Sequence, residues 1–407
     1  MKEIKFNFKS PPLLIFGGGI HQIPYIEYCN KLKIPNLVID KDPDCLAKEI
    51  TDHLLNIETP NERSIKVYDS IKKILPNLKI CGVLVAGIEL AILGTFIAKK
   101  FKTKSIKQSV SINATNKITR AKKLKKFNVP SPKFKVYNNL NFNLKDYPFV
   151  IKTEADSGSR GVRVISSKEN IISAKKDLLK LNSSKFIIEE YLKGHEISIE
   201  AFIYKGKFHY YCFAIRDIEI ISGGKLIEHG SISDPSYDIK KIKEVKKVFE
   251  KACLALGLQE GPAKGDILIT DIGPKVIEIA ARSAPLAPLI SKQIYGFDMI
   301  PQHIKWVMNI EPSFKLNIKK YSNTIPVCHR YLLHKKGTLL KLDGIDKLKK
   351  NKNVLKIVVL KKLKFPLKLE NPDNTNRLLY IVTTGIDAKN AILNAKRCLS
   401  KINLFYK

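Results

Sequence analysis

The chain has 407 residues, 44% of them apolar, enough for two or three domains with buried cores and too apolar for a wholly disordered polypeptide. Its net charge of +34 invites a nucleic-acid partner. The lysines, however, run through nearly every segment and no basic run alternates with aromatics, so the reading is of a compositional bias that also suits an acidic small-molecule ligand.

The seven cysteines (Cys29, Cys45, Cys81, Cys212, Cys253, Cys328 and Cys398) stand singly, with no C-x-x-C pair. That usage fits a reducing compartment and an expected cytoplasmic location. The basic N-terminus carries LLIF, a run too short for a signal-peptide core. The longest apolar stretch, residues 81–98, holds Glu89 at its middle, which would cost about 2.5–3.5 kcal/mol in a bilayer. A strand followed by a buried helix is the better reading, and no membrane partner is expected.

In chain order, PPLLIFGGG reads as a strand ending in a glycine turn, IHQIPYIEYCNKLKI as a helix, and NLVIDKDPD as a strand closing on Asp40. CGVLVAG and the helix after it add a further unit, so residues 1–112 are expected to form a parallel βαβ domain. Gly17, Gly19 and an acid about twenty residues on suggest a dinucleotide fingerprint, but Gln22 stands where its third glycine belongs. An NAD-dependent oxidoreductase is therefore the weakest of the readings kept.

From residue 113 onward the character changes. NATNKITRAKKLKKFNVPSPKF reads as a helix with a Pro-bounded exit. YPFVIK and GVRVISS are strands flanking the loop EADSGSRGV, and SKFIIEEYL is a third. EISIEAFIYKGKFHYYCFAI reads as an alternating meander, and IKKIKEVKKVFEKACLALGL as an amphipathic helix ending at Gly257. GDILIT and KVIEIAAR are two strands joined by a tight turn. A smaller unit follows, with strands NVLKIVVL and RLLYIVTTG and a last helix, AKNAILNAKRCLSKI.

A surface hairpin explains the glycines of EADSGSRGV, but a phosphate-gripping loop explains as well why the strand before it ends in Lys152. Lys117 opens the preceding helix, and Glu189, Glu190 and Glu196 form a short acidic series. Asp266 and Glu278 lie on adjacent strands where their side chains can face one another across a hairpin. Such a pair is either a solvated sheet face or a site for Mg²⁺, a hard ion held by one or two carboxylates plus substrate phosphates. Glu278 sits within the apolar run VIEIAA, where an unpaired charge is costly.

These segments, TNKITRAKKLKKFNVPSP, YPFVIKTEADSGSRGVRVI, FIIEEYLKGHEISIEAFI and GDILITDIGPKVIEIAAR, resemble the ATP-grasp superfamily, and specifically its carboxylate-amine ligases. The resemblance implies an α/β fold (α+β overall) in which an ATP-grasp core of two α+β subdomains follows the βαβ domain and precedes a small C-terminal α+β domain. The expected limits are 113–312 for the core, split into lid-bearing 113–187 and metal-bearing 188–312, and 313–407 for the tail. It implies ATP and Mg²⁺ as cofactors, with Mn²⁺ as an alternative ion, and small-molecule carboxylate and amine substrates; a homodimer is left open.

Residue by residue, Lys117 and Lys152 match the lysines that contact the ATP phosphates, and Ser157, Gly158, Ser159, Arg160 and Gly161 match the flap that closes over them. Glu189, Glu190, Tyr191 and Leu192 match the hinge that reads adenine through its backbone, and Glu196 the acceptor of the ribose hydroxyls. Asp266 and Glu278 match the metal ligands, and Arg282 an arginine that steadies the transferred phosphoryl group. Two positions depart from the pattern. Ala280 stands where an Asn often supplies a further metal ligand, and RSAPLAP lacks the glycines that frequently follow the arginine.

The expected reaction is ATP-dependent ligation through an acyl-phosphate. The alternatives are a carboxylase-like reaction using bicarbonate through carboxyphosphate, and a non-catalytic nucleotide- or RNA-binding relative. The N-terminal glycine turn, Glu89, ISGGKLIEHGSISDPS and the region after Arg282 are the expected substrate walls, with His229 read as a lone histidine in a polar loop.

Overall fold

A computed structural model describes residues 10–140, 146–154, 158–181, 183–315, 325–361, 363, 366, 367 and 373–407. The chain opens on a parallel sheet: β1 (Leu13–Phe16), α1 (Ile23–Lys31), β2 (Asn36–Asp40), β3 (His53–Asn56), α2 (Ser64–Ile74), β4 (Gly82–Leu84) and α3 (Ala91–Lys100), in the strand order β3-β2-β1-β4. Leu13, Leu14, Ile15 and Phe16 are all wholly buried, as expected of a parallel strand covered on both faces. The glycine turn after β1 is filled by the protein itself. Gly18 N–H donates to Asp40 Oδ2 at 2.7 Å, and Gln22 Nε2 donates to the Ala86 carbonyl. A Cβ on Gly18 would lie 2.3 Å from Cys45 Sγ, so that turn admits no side chain.

Two helices, α4 (Gln108–Thr115) and α5 (Lys117–Lys126), lead into a four-stranded antiparallel sheet. Asn116 between them caps α5 by accepting from Thr119 N–H at 2.9 Å. The sheet comprises β5 (Phe134–Tyr137), β6 (Phe149–Thr153), β7 (Val162–Ile165) and, after α6 (Lys168–Leu179), β8 (Phe186–Glu190), in the order β5-β8-β6-β7. The period of two sorts its residues. Phe149, Ile151, Ile165, Phe186 and Ile188 pack on Ala174 and Leu178 of α6. Val150, Lys152, Val162, Val164 and Glu189 point to the other side, into a cavity.

An eight-stranded sheet forms the rest of the frame. It is built from β9 (His195–Tyr204), β10 (Lys207–Ile221), β11 (Lys225–Ser233), β12 (Gly261–Thr270) and β13 (Gly273–Ala280), with α7 (Ile239–Leu256) crossing between β11 and β12. Ile199, Ala201, Ala263, Ile267 and Ile279 of this sheet pack on Val245, Phe249 and Cys253 of α7. Gly257 closes that helix in the left-handed region at φ +82°, where a side chain would be strained.

After α8 (Ala287–Tyr295) and α9 (Met299–Val307) the chain supplies β14 (Val327–Leu333), β15 (Gly337–Asp343), α10 (Ile345–Lys349), β16 (Val354–Val359), β17 (Pro366–Leu367), β18 (Arg377–Thr384), α11 (Ala388–Leu399) and β19 (Asn403–Tyr406). The tail strands β14, β18 and β16 extend the large sheet, whose order is β13-β12-β9-β10-β11-β14-β18-β16. One correction concerns His229. It lies on β11 rather than in a loop, with Nε2 2.6 Å from Glu219 Oε2 on the paired strand β10. The serines and glycines around it mask an ordinary hairpin. Among the described residues, no helix is long and apolar enough to cross a membrane, and all seven cysteines are free.

Candidate active site

The four-stranded and eight-stranded sheets face each other across a cavity of about 340 Å³, a size ordinary for a small-molecule site. Its walls are layered by chemistry. Val150, Val162, Val164, Ile220, Leu226 and Leu268 form aliphatic faces. Beside them run the end of β8, Glu189 and Glu190, and the start of its connection to β9, Tyr191 and Leu192. Glu190 Oε1 accepts from Lys133 N–H at 2.8 Å. Gly194 ends this connection at φ +158°, where a Cβ would come 2.2 Å from the Ile269 carbonyl oxygen.

Cations and carboxylates line the remaining walls. Lys117 and Lys152 reach the cavity from α5 and β6 and are 8% and 6% exposed. Lys152 Nζ lies 2.6 Å from Glu189 Oε2. On the facing sheet, Asp266 pairs directly across strands with Glu278 and, on its other side, with Ser198. Arg216 of β10 gathers the acids. It grips Glu228 in two places, Nε to Oε1 at 3.3 Å and Nη2 to Oε2 at 3.1 Å, and it reaches Asp266 Oδ2 at 3.1 Å and Glu196 Oε1. Lys264 Nζ sits 2.5 Å from the same Asp266 oxygen.

Burial alone would raise the pKa of every carboxyl here, and the cations decide which ones escape it. Glu196 is raised by burial despite Arg216. Glu278 is also buried, but Lys264, Arg120 and Lys117 overcome that effect and hold it at about 2. Glu228 is lowered further still, burial being outweighed by Arg216 and Arg377. Burial works against the Lys264 ammonium, yet Asp266 and Glu278 prevail and raise its pKa.

These residues suit a divalent cation. Asp266 is 3% exposed, and its Oδ1 is buried with no hydrogen-bond partner among the described residues. An orphaned buried carboxylate oxygen is costly, and a bound cation would satisfy it. Among the described residues there is no group of three or more His, Cys, Asp or Glu able to hold a metal unaided. A hard ion at this site would be completed by ligand oxygens and water.

A family model described as an ATP-grasp domain matches residues 114–284, the span holding the residues named on the cavity wall apart from Asn374. The chain carries an ATP-grasp domain. Over 173 residues it is 29% identical to the phosphoribosylamine–glycine ligase of Lactococcus lactis, covering 39% of this chain and 42% of that protein. The chain thus spans less than half the length of that relative. In fold, it is similar to the L-amino acid ligase from Bacillus licheniformis, with a TM-score of 0.80, 16% identity and 98% and 100% of the two chains covered. The biotin carboxylase from Campylobacter jejuni superposes with a TM-score of 0.70 at 15% identity, covering 98% and 92%.

Within the ATP-grasp domain the structure brings Lys117, Lys152, Ser159, Glu189, Glu190, Tyr191, Leu192, Glu196, Asp266 and Glu278 to one cavity. Ser157 lies outside the described residues. Gly158 and Ser159 both adopt positive φ, +66° and +63°, in the turn before Gly161, whose carbonyl accepts from Thr153 N–H at 2.9 Å. Arg282 is not on the cavity wall. Its Nε lies 2.6 Å from Glu89 Oε2, joining the end of β13 to the turn after β4. The sequence did not single out Arg216, Lys264 or two residues outside the domain match, Asn374 and Arg377, and it offered Glu228 only within the stretch ISGGKLIEHGSISDPS. Asn374 Nδ2 donates to the Gly158 carbonyl at 3.3 Å and to Leu226 at 3.1 Å, and Arg377 Nη2 reaches Glu228 at 2.9 Å. The tail therefore touches both the glycine turn and the acid network.

Glu200, on the same sheet face as Glu196, is 2% exposed and accepts from Tyr211 Oη at 3.1 Å and Ala284 N–H at 3.0 Å. Burial nevertheless raises its pKa from the ordinary 4.5 to about 7. A carboxyl whose folded-state pKa is raised favours folding while protonated and loses that contribution as pH climbs through this window. Relative to Glu200→Gln, the wild type is expected to lose about 2 kcal/mol of unfolding free energy between roughly pH 5 and pH 7.5. Urea titrations of both proteins at the two pH values check this, and parallel curves would place the Glu200 titration elsewhere.

Proposed function

We propose that this protein is an ATP-dependent carboxylate-amine ligase. The observation that carries the reading is one cavity lined by two lysines, Lys117 and Lys152, by the cross-strand pair Asp266 and Glu278, and by the stretch Glu189–Leu192. Point-charge ammonium groups suit phosphate oxygens, the carboxylate pair suits Mg²⁺, and the aliphatic faces suit a planar base. The ATP-grasp match and the ligase names of its relatives support the same reading.

In the reaction, a substrate carboxylate oxygen attacks the γ-phosphorus of ATP, the bond to the β-phosphate oxygen breaks, and ADP leaves. An amine then attacks the acyl carbon of the resulting acyl-phosphate, expelling phosphate and a proton and leaving an amide. Lys117 and Lys152 would bind the phosphates, Asp266 and Glu278 would hold Mg²⁺, and Glu196 would accept from the ribose. Mg²⁺ supplies charge neutralisation at the phosphates when bound. Positioning and electrostatics carry most of such a transfer. Arg282, held at the end of β13 by Glu89, lies outside the cavity toward the N-terminal domain, the side from which the acid would approach.

The test is ADP release from Mg-ATP by the purified protein across amino acids, small dicarboxylates and bicarbonate, each with and without an amine. Release that depends on one acid and rises with an amine is the expected result. Release with bicarbonate alone would move the assignment to a carboxylase. Failure to bind ATP in the presence of Mg²⁺ would overturn the nucleotide site itself.

A further inference from the structure

The feature that the ligase reading leaves unused is Lys264. It sits two residues before Asp266 on β12, so both side chains rise from the same sheet face, and its cross-strand neighbours are Glu200 on β9 and Ala280 on β13. Opposed residues in antiparallel sheets hold their Cβ atoms about 4.5–5.5 Å apart, so a larger residue at 280 would press on the lysine stem. Alanine leaves the stem room and offers no ligand oxygen of its own. The stem delivers Nζ to 2.5 Å from Asp266 Oδ2, an oxygen that Arg216 also holds at 3.1 Å. The other oxygen, Oδ1, is buried without a hydrogen-bond partner among the described residues.

Asp266 is thus divided, with one oxygen committed to fixed cations of the protein and one left open. We propose that the Lys264 ammonium stands in for a second divalent cation, so that the nucleotide complex carries a single metal ion, held by Asp266 Oδ1 and Glu278. This rests on the ligase reading of the site. In two-metal sites the ions lie about 3.5–4 Å apart. A second ion placed beside the first would meet the lysine charge at close range inside a low-dielectric cavity, where like charges repel strongly. Lys264 and Ala280 act as a matched pair: the lysine supplies the charge, and the alanine makes the space.

The experiment measures Mn²⁺ and nucleotide bound per protein after rapid removal of free ligand, with a non-hydrolysable ATP analogue. Three proteins are compared: the wild type, Ala280→Asn, and the double variant Lys264→Ser with Ala280→Asn. The expected counts are one Mn²⁺ per bound nucleotide in the wild type, still one in Ala280→Asn, and two in the double variant. Two ions in the wild type overturn the proposal, as does a second ion recruited by Ala280→Asn alone, or a folded double variant that stays at one. If the double variant fails to fold, the wild-type and Ala280→Asn counts decide: one ion in each supports the proposal, and two in either overturns it. Absence of bound nucleotide from the wild type overturns the ligase reading and this proposal together, whereas nucleotide bound with two ions overturns the role of Lys264 alone.

Discussion

Replacing Lys152 with methionine is expected to lower ADP formation roughly a thousandfold, the scale on which a preorganised charge acts on a transferring phosphoryl group. Methionine keeps the apolar stem against Val162 and Ile187, the cross-strand neighbours of Lys152. What it removes is the ammonium, and with it the 2.6 Å contact to Glu189. Both side chains are mostly buried, 7% and 11% exposed, so the variant leaves a carboxylate without its counter-charge. Breaking such a pair from one side costs about 3–5 kcal/mol. Stability and catalysis are therefore confounded in the single variant. Adding Glu189→Gln separates them: the double variant is expected to recover most of the lost stability and none of the lost turnover. ADP release and urea midpoints on the two variants and Glu189→Gln alone complete the cycle. Turnover restored along with stability would mean that Lys152 supports the fold and does not contact phosphate.

The features of the site that were legible in the sequence share one property, which is that each is local. The strand carrying Lys152, which runs one residue further than expected to Thr153, the turn at Gly158 and Ser159, and the two strands that set Asp266 opposite Glu278 are all specified within a hairpin's length of chain, where the period of two and the turn residues suffice. The ATP-grasp domain and the mixed α/β architecture were legible for the same reason, as motifs in order. Arg216 was hidden because its partners Glu196, Glu228 and Asp266 come from three other strands. Nothing near it in the chain announces a charge cluster. Lys264 gave a weak signal, its two-residue spacing from Asp266, but its meaning depends on Ala280 across the hairpin. The place of the tail was equally non-local. The pairing of β11 with β14, Ser231 opposite His329, continues the large sheet across about a hundred intervening residues, and short-range periodicity cannot register such a pairing.

Arg216→Met should be the most destabilising single change in the acid network, lowering unfolding free energy by about 3–5 kcal/mol near neutral pH. Its three acidic partners do not lose equally. Glu228 keeps Arg377 at 2.9 Å and Asp266 keeps Lys264 at 2.5 Å. Glu196 has no second ion pair within reach among the described residues, and burial already raises its pKa. In the variant that pKa rises further, so Glu196 favours folding only while protonated, and the deficit should shrink as pH falls toward 5 and grow as it rises. Metal works in the opposite sense to the mutation. With Arg216 gone, Asp266 Oδ2 loses one of its two cations, the cavity becomes more negative, and Mg²⁺ bound to the folded form alone stabilises it by mass action. Millimolar Mg²⁺ should therefore raise the urea midpoint of Arg216→Met more than that of the wild type. Arg216→Lys keeps a charge but cannot grip both oxygens of Glu228, so it should fall between the two. If Arg216→Met matches the wild type in stability and in its response to Mg²⁺, the arginine is a solvated bystander, and the division of Asp266 between fixed cations and metal has no basis.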